Sequence, residues 1–273
     1  MAIGVPTDGF NKQTVQQSFD VASKHYDQFT SMQRTIGNHL LAFQQEEPSG
    51  NVLDIGAGTG YLTRKLREFE HIEKLYALDI ALGMLMQTRQ NMAGNQLNGT
   101  VCADAESLAI KNNCLNAVYS NVALQWCSNL PLVFKEASRV LQKNGMFVFS
   151  TFGPRTLQEL KASWSVADNA VHVNEFVDMD AIRSLLGSAG FSEIRVSSEE
   201  IVMYYPSPKQ LMLGLKGMGA HNMNQGRKLG LTGVTAYKAM LRAYEALRTD
   251  NGIPATFQAV YVEAKREVRV NDG

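Results

Sequence analysis

Val52-Leu53-Asp54-Ile55-Gly56-Ala57-Gly58-Thr59-Gly60 begins as a short apolar strand and ends in three alternating glycines. Tyr61-Leu62-Thr63-Arg64-Lys65-Leu66 then spaces its apolar residues as the first turns of a helix. A strand, a tight glycine turn and a helix in that order let a ligand approach bare backbone where helix N–H groups point. The spacing separates two kinds of nucleotide site. A dinucleotide fingerprint, G-x-G-x-x-G, would put its third glycine at position 61, where this chain has Tyr61. Here the pattern is G-x-G-x-G, with an acid, Asp54, two residues before the first glycine.

Working outward, strands and helices alternate. After the first strand, Val52–Ile55, and its helix at about 61–69, the pattern predicts a second strand over 74–78 that ends at Asp79. A helix at about 83–92, a short strand at 99–102, a strand at 117–121, a helix at 131–140 and a strand at 146–151 follow. Near-continuous apolar strands between helices imply an α/β fold, a doubly wound, mostly parallel sheet covered on both faces. Upstream, Val15, Phe19, Ala22, Tyr26, Phe29 and Met32 recur at helical steps, with a break near Thr30-Ser31. Downstream, helices are expected at 157–167, 180–189, 209–215 and 234–247, and strands at 193–205 and 255–264. Residues 1–50 form a helical cap on a domain of 51–273, with helical insertions near 153–177 and 206–250.

Composition narrows the class. Of 273 residues, 45% are hydrophobic and 19% charged, which suits a substantial core and excludes disorder. Twenty-six basic residues balance 26 acidic ones, so no global charge favours nucleic acid or a membrane surface. Cys102, Cys114 and Cys127 form no metal-ligand spacing, so reduced thiols and no metal are expected. Met1–Phe10 lacks the pattern of a signal peptide, and no apolar run nears the roughly 20 residues of a membrane span. A cytoplasmic protein is expected.

Asp79, with Ile80 beside it, lies at the end of the second strand, 19 residues after Gly60. A carboxylate there can accept both hydroxyls of a ribose. Gly56, Gly58 and Gly60 with Asp54 before them form the pattern of class I S-adenosylmethionine (SAM) methyltransferases, and the chain resembles that superfamily. The resemblance implies a Rossmann-like sheet whose last strand is antiparallel. It implies that Asp104-Ala105-Glu106, after the third strand, reads adenine, and that Asp54 orders the glycine turn. It also implies that Asn121, Gln125 and Trp126 face the methyl group and the acceptor. An aromatic wall such as Trp126 favours a nearby cation. The Asn-Pro-Pro-Tyr pattern of amide and adenine N-methyltransferases is absent.

A closer resemblance follows from four stretches. Asn11-Lys12 followed by Phe19, Ala22, Tyr26 and Gln33 is one. Ser120-Asn121-Val122-Ala123-Leu124-Gln125-Trp126-Cys127-Ser128-Asn129-Leu130 is the second. Thr151-Phe152-Gly153-Pro154 with Thr156-Leu157 and Glu159-Leu160 is the third, and Leu215-Lys216-Gly217-Met218-Gly219-Ala220 with Gly226-Arg227 the fourth. Together they resemble the malonyl-(acyl-carrier protein) O-methyltransferases of biotin synthesis, the BioC family, from about residue 11 to 263. Arg155 departs from the small residue expected at its turn.

That resemblance implies transfer of a methyl group from SAM to the free malonyl carboxylate on acyl-carrier protein, leaving a methyl ester and S-adenosylhomocysteine. A carboxylate, with a reference pKa of roughly 4, is already a nucleophile at neutral pH. No general base is therefore needed, and none of His25, His39, His71, His172 and His221 is assigned that role. Tyr26 is the candidate for positioning the acceptor. Between Tyr205 and Arg248 the cations Lys209, Lys216, Arg227, Lys228, Lys238, Arg242 and Arg248 face Glu245 alone. Such a segment suits an acidic partner, and Lys216, Arg227, Lys238 and Arg242 are candidate contacts for the carrier protein. A monomer is expected. The rival reading is a SAM methyltransferase acting on a small-molecule acid or quinone precursor, which shares the cofactor core and differs on the acceptor side.

Overall fold

Along the central strands, burial alternates between two apolar layers. Met146 and Val148 join one layer while Phe147 and Phe149 join the other, the period of two that a sheet covered on both faces requires. The computed structural model of the chain describes residues 12–23, 30–94, 97–168, 170–217 and 233–267, without the side chains of 216 and 217.

The strands are β1 (Gly50–Ile55), β2 (Ile72–Asp79), β3 (Gly99–Cys102), β4 (Leu115–Asn121), β5 (Leu141–Phe152), β6 (Phe191–Tyr205) and β7 (Ile253–Arg266). They form one sheet in the order β3-β2-β1-β4-β5-β7-β6. β1 pairs in parallel with β2 and with β4, so the order reverses there and a crevice opens at the carboxyl ends. β7 runs antiparallel to both neighbours, β5 and β6, and is the single reversed strand. The Rossmann-like sheet with an antiparallel last strand is thus as the sequence implied.

The helices are α1 (Lys12–Ala22), α2 (Ser31–Phe43), α3 (Tyr61–Leu66), α4 (Leu82–Asn91), α5 (Leu130–Val140), α6 (Gln158–Ser165), α7 (Met179–Ser188), α8 (Pro208–Gly217) and α9 (Val234–Glu245). Val133, Phe134, Ala137 and Val140 of α5 and Ile182 and Leu186 of α7 pack on one face of the sheet. Met32, Ile36 and Leu40 of α2, with Leu160 and Trp164 of α6, Leu211 and Leu215 of α8 and Met240 and Tyr244 of α9, cover the other. The helices expected as insertions therefore share a core with α2 rather than standing apart. No described helix is long and apolar enough to cross a membrane.

Two elements differ from the pattern. β5 starts at Leu141 rather than at 146, because Leu141 already pairs with Leu115 and the irregularity at Asn144 (φ 60°) and Gly145 is absorbed inside the strand. Leu124–Trp126, unassigned from sequence, forms a single 3-10 turn after β4.

Candidate active site

The glycine turn is held from below and from the side. The Gly56 and Ala57 N–H groups donate to the Leu78 carbonyl at 2.7 and 3.0 Å, and Thr88 Oγ1 of α4 donates to the Gly58 carbonyl at 2.7 Å. Gly56 has φ 69°, and a Cβ there would overlap the Ala123 side chain, so glycine is required on both counts. Gly60, at φ 87°, caps α3 in the left-handed region.

Asp79 sits at the crevice, 7% exposed, where its Oδ2 accepts from Gly58 N and its Oδ1 from Ala81 N, each at 2.9 Å. Burial pushes its pKa up to about 6, against the pull of those N–H groups. Asp54 lies behind the turn. Its Oδ2 accepts from Thr63 Oγ1 at 2.5 Å, tying β1 to α3, while its Oδ1 is buried without a hydrogen-bond partner. Burial, with a smaller push from the nearby Asp79 charge, lifts Asp54 to about 7 against the pull of the Thr63 hydrogen bond. Asp79 at the crevice, with the buried Asp54 carboxylate behind it, suits a ligand carrying positive charge and hydroxyl donors.

A cleft opens in front of them. Gly56, Gly58, Asp79, Ile80, Asp104, Ala105, Glu106, Asn121 and Trp126 line it, whereas Asp54 and Gly60 stand behind its wall. α1 lies across this cleft. Asp20 Oδ1 accepts from Gly83 N at 2.8 Å, Phe19 packs edge-on against Trp126 with centroids 5.9 Å apart, and Lys12 Nζ is 2.6 Å from both Asp104 Oδ2 and Glu106 Oε2. The expected adenine-reading pair thus divides. Glu106 Oε1 also accepts from Ser128 N and Asn129 N, so this carboxylate is spent on holding the chain after β4. Asp104 accepts from Glu106 N on one oxygen and pairs with Lys12 on the other. The Lys12 bridge was invisible to local spacing, since it joins residues 92 apart in sequence.

At the end of β4 the backbone is strained. Val122, a β-branched residue 6% exposed, takes φ 49°. Its N–H donates to the Ser150 carbonyl at 3.1 Å and lies 3.0 Å from Ser150 Oγ, and Ser150 Oγ donates to Asn121 Oδ1 at 2.7 Å. Asn121 Nδ2 in turn donates to the Gln33 carbonyl of α2 at 2.9 Å. Asn121 therefore fixes the bend through both ends of its amide, and Ser150, missed from sequence, is its anchor. Gln125 Nε2 donates to the Val122 carbonyl at 2.7 Å, closing the bend from the other side. Cys127, also on the cleft, has its thiol pushed up strongly by burial and stays protonated.

A second cavity adjoins the first, and Phe19, Val122 and Trp126 line both. Its other walls are Met32, Phe152, Leu157, Leu160, Val173, Phe176, Met212, Leu215 and Phe257, with Gln33, Gln125, Thr156, His172 and Asn174 as the polar members. No lysine or arginine lines it among the described residues. His172 stacks on Trp164 at 3.6 Å and places Nε2 2.7 Å from Asp168 Oδ1. It is thus built into the cavity wall. Tyr26, His25, Arg227 and His221 lie outside the described residues, as does the side chain of Lys216. Lys238 and Arg242 are exposed on α9, away from both cavities.

A glycine turn under a topological switch point, an acid at the end of β2 and a cleft in front of both define a SAM-dependent methyltransferase, and the residues present fit that cofactor. A family model described as a methyltransferase domain matches residues 53–149. The fold is shared with a Bacillus subtilis protein, YcgJ, at TM-score 0.60, 14% identity and coverage of 86% of this chain and 99% of that one. A Haemonchus contortus phosphoethanolamine N-methyltransferase solved with S-adenosylmethionine matches at TM-score 0.56 and 14% identity, over 91% of this chain and 57% of that one. Sequence relatives are much nearer. A malonyl-(acyl-carrier protein) O-methyltransferase of Gallionella capsiferriformans is 38% identical over 96% of this chain and 93% of its own length, and that of Nitrosospira multiformis 39% over 93% and 89%. The biotin biosynthesis bifunctional protein BioHC of Saccharophagus degradans is 40% identical over 93% of this chain, which spans 46% of that longer protein. The chain belongs to the malonyl-(acyl-carrier protein) O-methyltransferase family.

Proposed function

We propose that this enzyme methylates the free carboxylate of a malonyl group carried on acyl-carrier protein, an early step of biotin synthesis. The observation that carries the reading is the cavity beside the cofactor cleft, mostly apolar and without a described cation in its wall. When bound, SAM supplies a methyl carbon on a cationic sulfur: the carboxylate oxygen bonds to that carbon, the C–S electron pair stays on sulfur, and no proton moves. Opposite charges cancel along this path, so a cationic side chain gripping the carboxylate would stabilise the reactant more than the transition state. Apolar walls and neutral amides avoid that. The rigid bend at Val122, fixed by Asn121, Gln125 and Ser150, sets the junction of the two cavities, and alignment of this kind can supply roughly 7–11 kcal/mol.

Bringing an anion into such a cavity is costly, and binding energy from remote parts of the substrate can offset it. Lys209, Lys238 and Arg242 are exposed, and none forms an ion pair with a described residue, so they offer a docking surface for an acidic carrier. Arg248 belongs less to that surface, because it pairs with Glu245 and donates to the Pro206 carbonyl at 2.9 Å. Asp79 is proposed to hold the cofactor ribose, Asp104 its adenine amine, and Tyr26 to position the acceptor; the two helical insertions are proposed to form the acceptor half of one domain. Methyl-labelled SAM incubated with malonyl-loaded carrier protein is expected to give a base-labile methyl ester, and acyl-loaded carrier none. Equal labelling of free malonate or a quinone precursor would replace this reading with a small-molecule methyltransferase.

A further inference from the structure

Asn174 lies in the chain between α6 and α7, on the wall of the acceptor cavity, and is 5% exposed. Its Oδ1 is buried without a hydrogen-bond partner. Three other polar side chains of that wall are engaged. Gln125 bonds the Val122 carbonyl, Thr156 Oγ1 accepts from Gln258 N at 3.1 Å, and His172 is held by Asp168. The position of Asn174 is also fixed from both sides. Two residues before it His172 stacks on Trp164, and two residues after it Phe176 packs edge-on against Phe152 with centroids 5.7 Å apart. Leaving a buried amide oxygen without a donor is unfavourable, so one held on a fixed cavity wall marks a place where a ligand supplies the donor.

The ligand chemistry follows from where Asn174 stands. The carboxylate to be methylated must reach the junction lined by Phe19, Val122 and Trp126, and Asn174 lines the acceptor cavity but not the cofactor cleft. It therefore faces what trails behind the carboxylate. The malonyl thioester itself offers only acceptors, a carboxylate and a carbonyl. Donors begin with the amide N–H two carbons beyond the thioester sulfur, on the pantetheine arm that tethers an acyl group to its carrier.

Building on the function proposed above, we infer that Asn174 Oδ1 accepts this amide N–H and thereby selects a carrier-bound malonyl group over a free acid. The contact places a neutral hydrogen bond behind the thioester and leaves the carboxylate itself uncompensated.

The test uses carrier protein loaded with malonyl on its natural arm, and on an arm whose sulfur-proximal amide nitrogen is replaced by an ester oxygen. The two differ by one N–H. The wild-type enzyme is expected to favour the natural arm about tenfold in kcat/KM, the order of one buried hydrogen bond whose acceptor is left open. Asn174→Leu, of similar volume, is expected to lose that preference while keeping wild-type affinity for SAM, which shows it folded. An Asn174→Leu enzyme that retained the full preference, or a wild type that showed none, would overturn the inference. Absence of methyl transfer to either loaded carrier would instead overturn the assigned reaction.

Discussion

The cleft around Asp79 draws its walls from residues 55–58, 78–84, 103–106 and 121–127, with α1 laid across it. The cavity around Asn174 is assembled from α1, α2, the chain after β4, the end of β5, the segment from Thr156 to Phe176, α8 and β7. The first takes its polar walls from the glycine turn and from Asp79, Asp104 and Glu106, each held by hydrogen bonds to nearby backbone. The second is lined by side chains that meet only when distant parts of the chain have packed. A cofactor common to many enzymes can be held by the carboxyl ends of the sheet, which the fold supplies; a particular acceptor needs side chains brought in from elsewhere.

This contrast can be broken most severely at Gly56. Gly56→Val should abolish detectable SAM binding, a loss above roughly a hundredfold, because a side chain there collides with Ala123 and φ 69° disfavours it. Retained binding in calorimetry would show that the turn does not shape the cleft. Next comes Asp79→Asn, which keeps the shape and removes the charge. A hydrogen bond to a charged group contributes about 1.5–3 kcal/mol, so SAM affinity should fall roughly 10- to 100-fold with kcat/KM for the carrier falling in step.

Acidity provides a finer probe. Asp79 and Asp54 have pKa values lifted to about 6 and about 7, chiefly by burial. A bound cation favours their ionised forms, so binding releases protons, and SAM affinity should rise as pH increases through 6 to 7 and level off above. Roughly tenfold is expected from each carboxylate per pH unit below its pKa. Affinity that fell over that interval would reverse the assignment. The smallest effect is expected on the carrier side. Lys238→Glu with Arg242→Glu should raise the KM for malonyl-loaded carrier several-fold and flatten its salt dependence, with SAM affinity unchanged. Unaltered KM and salt dependence would move the docking surface elsewhere.

The same division explains what could be read before any coordinates. Gly56, Gly58 and Gly60 announce a turn through residue type alone, and Asp79 follows at the end of a strand whose apolar run is visible. All seven strands were legible for the same reason, since each leaves a local period. Val122 was not, because valine gives no sign of a left-handed backbone; the bend depends on Ser150 in the next strand. Lys12 gave no sign of bridging to Asp104 and Glu106, and neither His172 nor Asn174 sits in a periodic stretch. Their roles arise from contacts across the sheet, where spacing along the chain carries no information.

The single reversed strand has a consequence for synthesis. β7 is the last strand made, yet it occupies the place between β5 and β6 and contributes Phe257 to the acceptor cavity. While the ribosome makes the chain from 206 to 252, roughly 50 residues at about 5–20 residues per second, the outer edge of β5 and the whole of β6 have no partner. For those seconds the nascent protein can already shape its glycine turn and switch point, while presenting two open sheet edges to any neighbouring chain. The capacity to hold SAM can therefore mature before the capacity to receive a substrate, and the exposed edges mark the interval in which a chaperone has most to do.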